Sequence, residues 1–140
     1  MKIKILAVGK LKEKAFQSRI VEYVKWINKD VPVELIFLKD NDKVNRKLLE
    51  NINSRNHTIC LSEEGEKRSS KEFSKLLFNS ALNHTFIIGG PNGLPKYIKE
   101  KANQIFSLSE LTFPHEMALL ILVEQLYRAV SIEKGSKYHR

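Results

Sequence analysis

Short apolar runs alternate with segments of helical periodicity along the whole chain, and this alternation limits the fold more than any other feature. Lys2–Val8 (KIKILAV) begins as an alternation and ends as an apolar run, the pattern of a strand covered on both faces. Val33–Leu38 (VELIFL), His57–Leu61 (HTICL), Thr85–Ile88 (TFII) and Gln104–Leu108 (QIFSL) read as further strands. Ala15–Lys29 carries Phe16, Ile20, Val24 and Ile27 at helical spacing, and Pro32 breaks it. Asn41–Ser54 places Val44, Leu48, Leu49 and Ile52 on one helical face. A helix through about Ser80, capped by Ser69 or Ser70, turns Phe73, Leu76 and Leu77 inward. Pro95–Ala102 predicts a short helix, and Pro114 suits the first turn of a long one ending near Ile132. Ser62–Arg68 (SEEGEKR) reads as a polar loop around Gly65. Strands alternating with helices predict an α/β fold with a mostly parallel sheet, and 140 residues make one ordinary domain.

Composition narrows the class further. With 42% hydrophobic and 29% charged residues the chain is not a disordered one. The single Cys60 excludes an internal disulfide framework and any multi-cysteine zinc site, and its apolar strand predicts an inert core thiol. No apolar stretch is long enough for a membrane span, and MKIKILAVGK has neither the apolar run nor the cleavage site of a secretory signal. The expectation is a soluble, cytoplasmic protein in a reducing compartment. Lys and Arg number 24 against 16 acids, a net charge of +8, which points to a polyanion or an acidic surface as partner. The excess is concentrated at the two ends of the chain. The tail Gly135–Arg140 joins an aromatic ring, an imidazole and a guanidinium at an otherwise free terminus, a combination that unpaired bases bind; a disordered end is the alternative.

Ligands of parallel sheets sit beyond the carboxyl ends of the strands. Three connections there are chemically shaped: Ser62–Gly65, Gly89–Gly93 and Ser107–Phe113. Gly89-Gly90-Pro91-Asn92-Gly93 follows an apolar strand directly and fits either close backbone approach to a ligand or a plain tight turn. It is neither G-x-G-x-x-G nor a P-loop, which argues against a phosphate-binding regulator. Ser107–Phe113 (SLSELTF) mixes hydroxyls with leucines and a phenylalanine, as a pocket for a flat heterocycle needs; taken alone, the loop is better explained by helix capping by Ser109 or Thr112 over core leucines. The helix Pro114–Ile132 is apolar nearly all round, which suits a central core helix, a self-association surface, or both. Its polar exceptions are Glu124, Gln125, Tyr127 and Arg128, where a satisfied ion pair competes with a site role. His57, His84, His115 and His139 lack metal-ligand spacing, so no metal is expected.

MKIKILAVGKLKEK at the start, IIGGPNG in the middle, and SLSELTFPHEMALLILVEQLYRA followed by YHR at the end resemble the RlmH family of SPOUT-class methyltransferases over nearly the whole chain. The resemblance implies a SPOUT-type parallel sheet flanked by helices, with the C-terminal part threaded into a trefoil knot, acting as a homodimer. It implies methyl transfer from S-adenosyl-L-methionine to N3 of a pseudouridine in a stem-loop of large-subunit (23S) ribosomal RNA, with the assembled ribosome as the expected substrate. A non-catalytic, basic RNA-binding module is the competing reading. Carried over by position, the cofactor contacts are Leu61, Gly89, Leu108, Ser109, Glu110, Leu111, Thr112 and Phe113. Tyr138, His139 and Arg140, with Arg128, take the catalytic and RNA-side positions, and His115 orders the cofactor loop. His139 is the expected general base, with Arg128 or Arg140 stabilising charge on the base's carbonyl oxygens. The tail need not serve its own subunit's crevice, so a composite active site across the dimer is expected. Two departures stand out: the segment between Leu38 and His57 is shorter than in typical members, and Glu110 stands where relatives often carry Lys or a small residue.

Overall fold

The first apolar run becomes the strand β1 (Ile3–Val8), with Ile3, Ile5 and Ala7 buried on one face and Leu6 and Val8 on the other. It is bonded on both edges, to β2 (Val33–Leu38) and to β4 (Asn83–Ile88), so neither face nor edge needs polar residues. A computed structural model describes all 140 residues. The strands β3 (Asn56–Lys67) and β5 (Gln104–Ser107) complete a five-stranded, all-parallel sheet in the order β2-β1-β4-β3-β5.

The helices cover both faces unequally. On one side lie α1 (Lys14–Ile27), α3 (Ser70–Phe78) and α5 (His115–Lys134). They bury Ile20, Ile27, Phe73, Leu77, Leu122 and Leu126 against Ile3, Ile5, Ile59 and Phe86. On the other side α2 (Val44–Glu50) and α4 (Lys96–Lys101) close a smaller core of Leu6, Val8, Val44, Leu48, Cys60, Ile87 and Ile98. Cys60 is fully buried there, and burial pushes its thiol up to about 11, so it is inert near neutral pH. No helix is long and apolar enough to cross a membrane.

Several boundaries differ from the sequence reading. Ser62–Arg68 is not a free loop: β3 continues to Lys67 and pairs with β5 twice, through Ile59–Leu61 and again through Glu66–Lys67. Residues 62–65 are a bulge between these pairings, and Gly65 is needed because a side chain there would come within 2.6 Å of the Ile105 backbone. Main-chain pairing needs no apolar side chains, so a polar stretch can carry it. The second helix is confined to Val44–Glu50, because the Asn41 side chain accepts from Lys43 N–H in a turn before it. The α5 helix extends to Lys134 rather than Ile132. Ser69, not Ser70, caps α3, in a reciprocal capping box with Glu72.

The amino end of the sheet carries a histidine pair. His84 Nε2 donates to Leu77 O at 3.0 Å, so its Nδ1 is the acceptor in the 3.2 Å contact with His57 Nδ1. His57 is thus the donor and His84 the acceptor in this pair, and burial is the main cause holding both below the usual imidazole value.

Candidate functional site

At the opposite, carboxyl end of the sheet, Leu61 and the bulge of β3 converge with the connections after β4 and β5 on one crevice of about 800 Å³. Its wall beyond β4 is the glycine turn, which is tight as well as open to the crevice. Gly93 N–H donates to Gly90 O at 2.9 Å, and Gly93 holds a φ of 70°. A side chain on Gly89 would meet the Gly93 carbonyl carbon at 2.7 Å, so only glycine allows the two backbone segments to lie this close. The wall beyond β5 is folded by Ser109. Ser107 Oγ donates to Ser109 O at 2.7 Å, and Leu111 N–H donates to Ser109 Oγ at 3.1 Å. Neither Ser109 nor Thr112 caps α5; Pro114 precedes its first turn without a side-chain cap. Leu111 stands at the rim, 71% exposed.

Among the eight positions expected to hold a cofactor, Leu61, Gly89, Leu108, Ser109, Leu111, Thr112 and Phe113 line this crevice. Glu110 does not: its carboxylate pairs with Lys67, which holds it below the usual carboxylate range. Several lining residues had no sequence signal beyond their place after a strand. Ser62 and Glu63 enter from the β3 bulge, and Lys99 from α4, with Nζ 2.6 Å from Glu64 Oε1. His115 lines the crevice from the first turn of α5, and its buried Nε2 has no hydrogen-bond partner. That nitrogen lies beside Gly9, where a side chain would approach it to 3.5 Å.

The residues expected to be catalytic lie elsewhere. Arg128 is thirteen residues along α5 from His115, roughly 20 Å at 1.5 Å per residue. There the tail is not free but docked. Arg128 donates from Nε and Nη2 to Glu124 Oε1 at 3.0 and 2.7 Å, and its guanidinium carbon sits 4.9 Å from the Tyr138 ring centroid. Tyr138 donates to the same Glu124 oxygen at 3.2 Å, lies 3.4 Å from the Tyr23 hydroxyl, and packs edge-on against Tyr127. Burial, then the Tyr23 bond and the Glu124 charge, push the Tyr138 phenol well above its ordinary value, so it stays a donor. The Glu124 hydrogen bond raises Arg128 in turn. A guanidinium only donates, so the 3.1 Å contact from Arg128 Nη1 makes His139 Nδ1 the acceptor and leaves the ring proton on Nε2. Arg140 is exposed. Glu124 therefore organises this cluster, a role its place among the polar exceptions of an apolar helix left undecided. No group of three or more His, Cys, Asp or Glu is placed to hold a metal ion.

Comparison with known proteins places this geometry. The family model described as "Predicted SPOUT methyltransferase" matches residues 1–139. A Ribosomal RNA large subunit methyltransferase H of Streptococcus thermophilus is 40% identical over 159 aligned positions, covering all of both chains. Its counterpart in Dictyoglomus thermophilum is 38% identical and covered to 99%, as is this chain. A probable methylase family protein from Haemophilus influenzae superposes with a TM-score of 0.63 at 10% identity, over 99% of this chain and 70% of the other. The SpoU methyltransferase AviRb from Streptomyces viridochromogenes, solved with AdoMet, gives 0.53 at 8% identity, over 97% of this chain and 59% of its own. At such identities the structural likeness speaks for the fold, whereas the full-length sequence matches speak for descent. The chain belongs to the SPOUT methyltransferase family, among the ribosomal RNA large subunit methyltransferases H.

Proposed function

We propose that the protein is a cytoplasmic homodimer that methylates N3 of a pseudouridine in a stem-loop of 23S ribosomal RNA, on the assembled ribosome. The observation that carries the reading is the convergence of the β3 bulge and the two connections after β4 and β5 on one crevice walled by main chain and apolar side chains. The names of the full-length relatives support ribosomal RNA as substrate. S-adenosylmethionine fits the crevice by chemistry: apolar Leu108 and Phe113 line it beside the main chain of the Gly89–Gly93 turn, and a buried His115 nitrogen lacks a partner. Leu61, Gly89 and Leu108–Phe113 would hold it, Leu108 and Phe113 offering apolar surface to the adenine and the turns offering backbone groups to its edge. Bound there, the cofactor supplies an activated electrophilic methyl group. The trefoil knot that the family resemblance implies is part of this proposal.

The protein's own work is then positioning and charge. Arg128 offers a permanent cation to the carbonyl oxygens of a uracil-type ring, where negative charge develops as the imide proton leaves. As arranged, His139 presents its Nε2–H as a donor, whereas the Tyr138 hydroxyl proton is held by Glu124; His139 serves as the general base only once its Nδ1 is released from Arg128. The separation of roughly 20 Å along α5 supports a composite site, in which one protomer's tail completes its partner's crevice. Mass spectrometry of ribosomal RNA from a strain lacking the gene tests the reading: loss of a single methyl on one pseudouridine is the expected result. Calorimetry showing no binding of S-adenosylhomocysteine would instead favour a non-catalytic RNA-binding module, and sedimentation showing only monomer would remove the composite site. His139→Ala with an unchanged single-turnover rate on saturating ribosomes would end its role as base.

A further inference from the structure

The connection from β1 to α1 gives no residue to the crevice lining, but its Gly9 lies against His115 of the crevice wall, and it takes no part in the chemistry above. Leu11 tethers it to the main core, while Lys10, Lys12 and Lys14 are exposed and none forms an ion pair. Its backbone is fixed from across the fold. Glu116 Oε1 accepts from Lys12 N–H at 2.6 Å and from Glu13 N–H at 3.1 Å. Glu116 stands in the first turn of α5, next to His115 on the crevice wall. Three cations and the single acid Glu13 are thus carried on a segment clamped to the helix that closes the crevice. In contrast, Lys99, the one lysine lining the crevice, is already paired with Glu64, and Lys67 is paired with Glu110 of the β5–α5 connection.

A fixed backbone bearing flexible, unpaired ammonium groups suits phosphate oxygens. It loses little loop entropy on binding, and lysine contacts the backbone without reading sequence. We infer that Lys10 and Lys12, on the connection clamped by Glu116, and Lys14, the first residue of α1, hold the phosphates of the RNA strand that leads into the crevice. The inference rests on the reading of RNA as substrate and assigns the surface that receives it. An acidic protein surface would be a poorer fit, since its carboxylates are not strung along one continuous chain as phosphates are.

Co-sedimentation with purified ribosomes over a series of KCl concentrations tests this. The triple variant Lys10→Gln/Lys12→Gln/Lys14→Gln should bind more weakly, and the slope of log affinity against log salt should fall by about 2 to 3, nearly one per lost phosphate contact. Lys25→Gln/Lys29→Gln, at the far end of α1, should leave the slope unchanged. S-adenosylhomocysteine affinity should stay as in the parent for both, which also shows that the variants fold. Glu116→Ala separates clamp from charge: removing an anion strengthens RNA binding if charge alone acts, and weakens it if the held loop matters. An unchanged slope in the triple variant, an equal fall in the control pair, or tighter binding by Glu116→Ala overturns the inference while leaving methyl transfer standing. Absence of ribosome binding by the parent protein overturns both.

Discussion

At the first turn of α5 the crevice is walled by turns of main chain, and a buried imidazole nitrogen is left without a partner. Near the last turns of the same helix the polar groups are matched: Glu124 takes three donors on one oxygen and Gln125 on the other, and Arg128 is held in place by Glu124, Tyr138 and His139. The contrast teaches where a ligand belongs. Unmatched buried groups are costly unless something supplies their bonds, which a bound cofactor does. A saturated cluster gains nothing from a small molecule, but it arrives at a second surface already ordered. Its side chains need no further entropy loss to act there.

The largest expected effect breaks the first region. Gly89→Ala forces a Cβ into the Gly93 backbone, so S-adenosylhomocysteine affinity measured by calorimetry should fall roughly a hundredfold, with the circular dichroism spectrum unchanged. The next breaks the second region alone. Glu124→Gln removes the charge that anchors Arg128 and Tyr138; single-turnover methylation should drop roughly tenfold or more, while cofactor affinity stays put. An equal loss of both would mean the two regions are one site within a protomer.

A third measurement uses the amino end of the sheet as the baseline for both. His57 and His84 are neutral when folded, but their unfolded counterparts take up protons near the ordinary value of 6.5. Their contribution to stability is therefore complete above that pH and is lost as the pH falls through the lowered folded values. The melting temperature should be lower at pH 5 than at pH 7.5, and His57→Gln/His84→Gln should flatten that dependence. The smallest effect sharpens the crevice boundary. Glu110→Gln, on the outward side of the β5–α5 connection, should shift cofactor affinity by less than about twofold, the range of an exposed ion pair.

The alternation of apolar runs and helical periods determined the α/β class, because burial on both faces of a parallel sheet leaves a mark in each strand. The glycines of Gly89–Gly93 and the mixed Ser107–Phe113 segment marked two crevice walls for a similar local reason: tight turns and exposed leucines are unusual at those positions. Tertiary structure decided what local pattern does not encode. The polar stretch Ser62–Lys67 became strand because β5 lay beside it to supply hydrogen bonds. Glu110 was turned outward by Lys67, and Lys99 was brought to the crevice from a separate helix. Glu116 reached back across a hundred residues of chain to hold Lys12 and Glu13. Periodicity reports which face of an element is buried, but contacts between distant segments depend on how the elements pack, and only the folded chain fixes those.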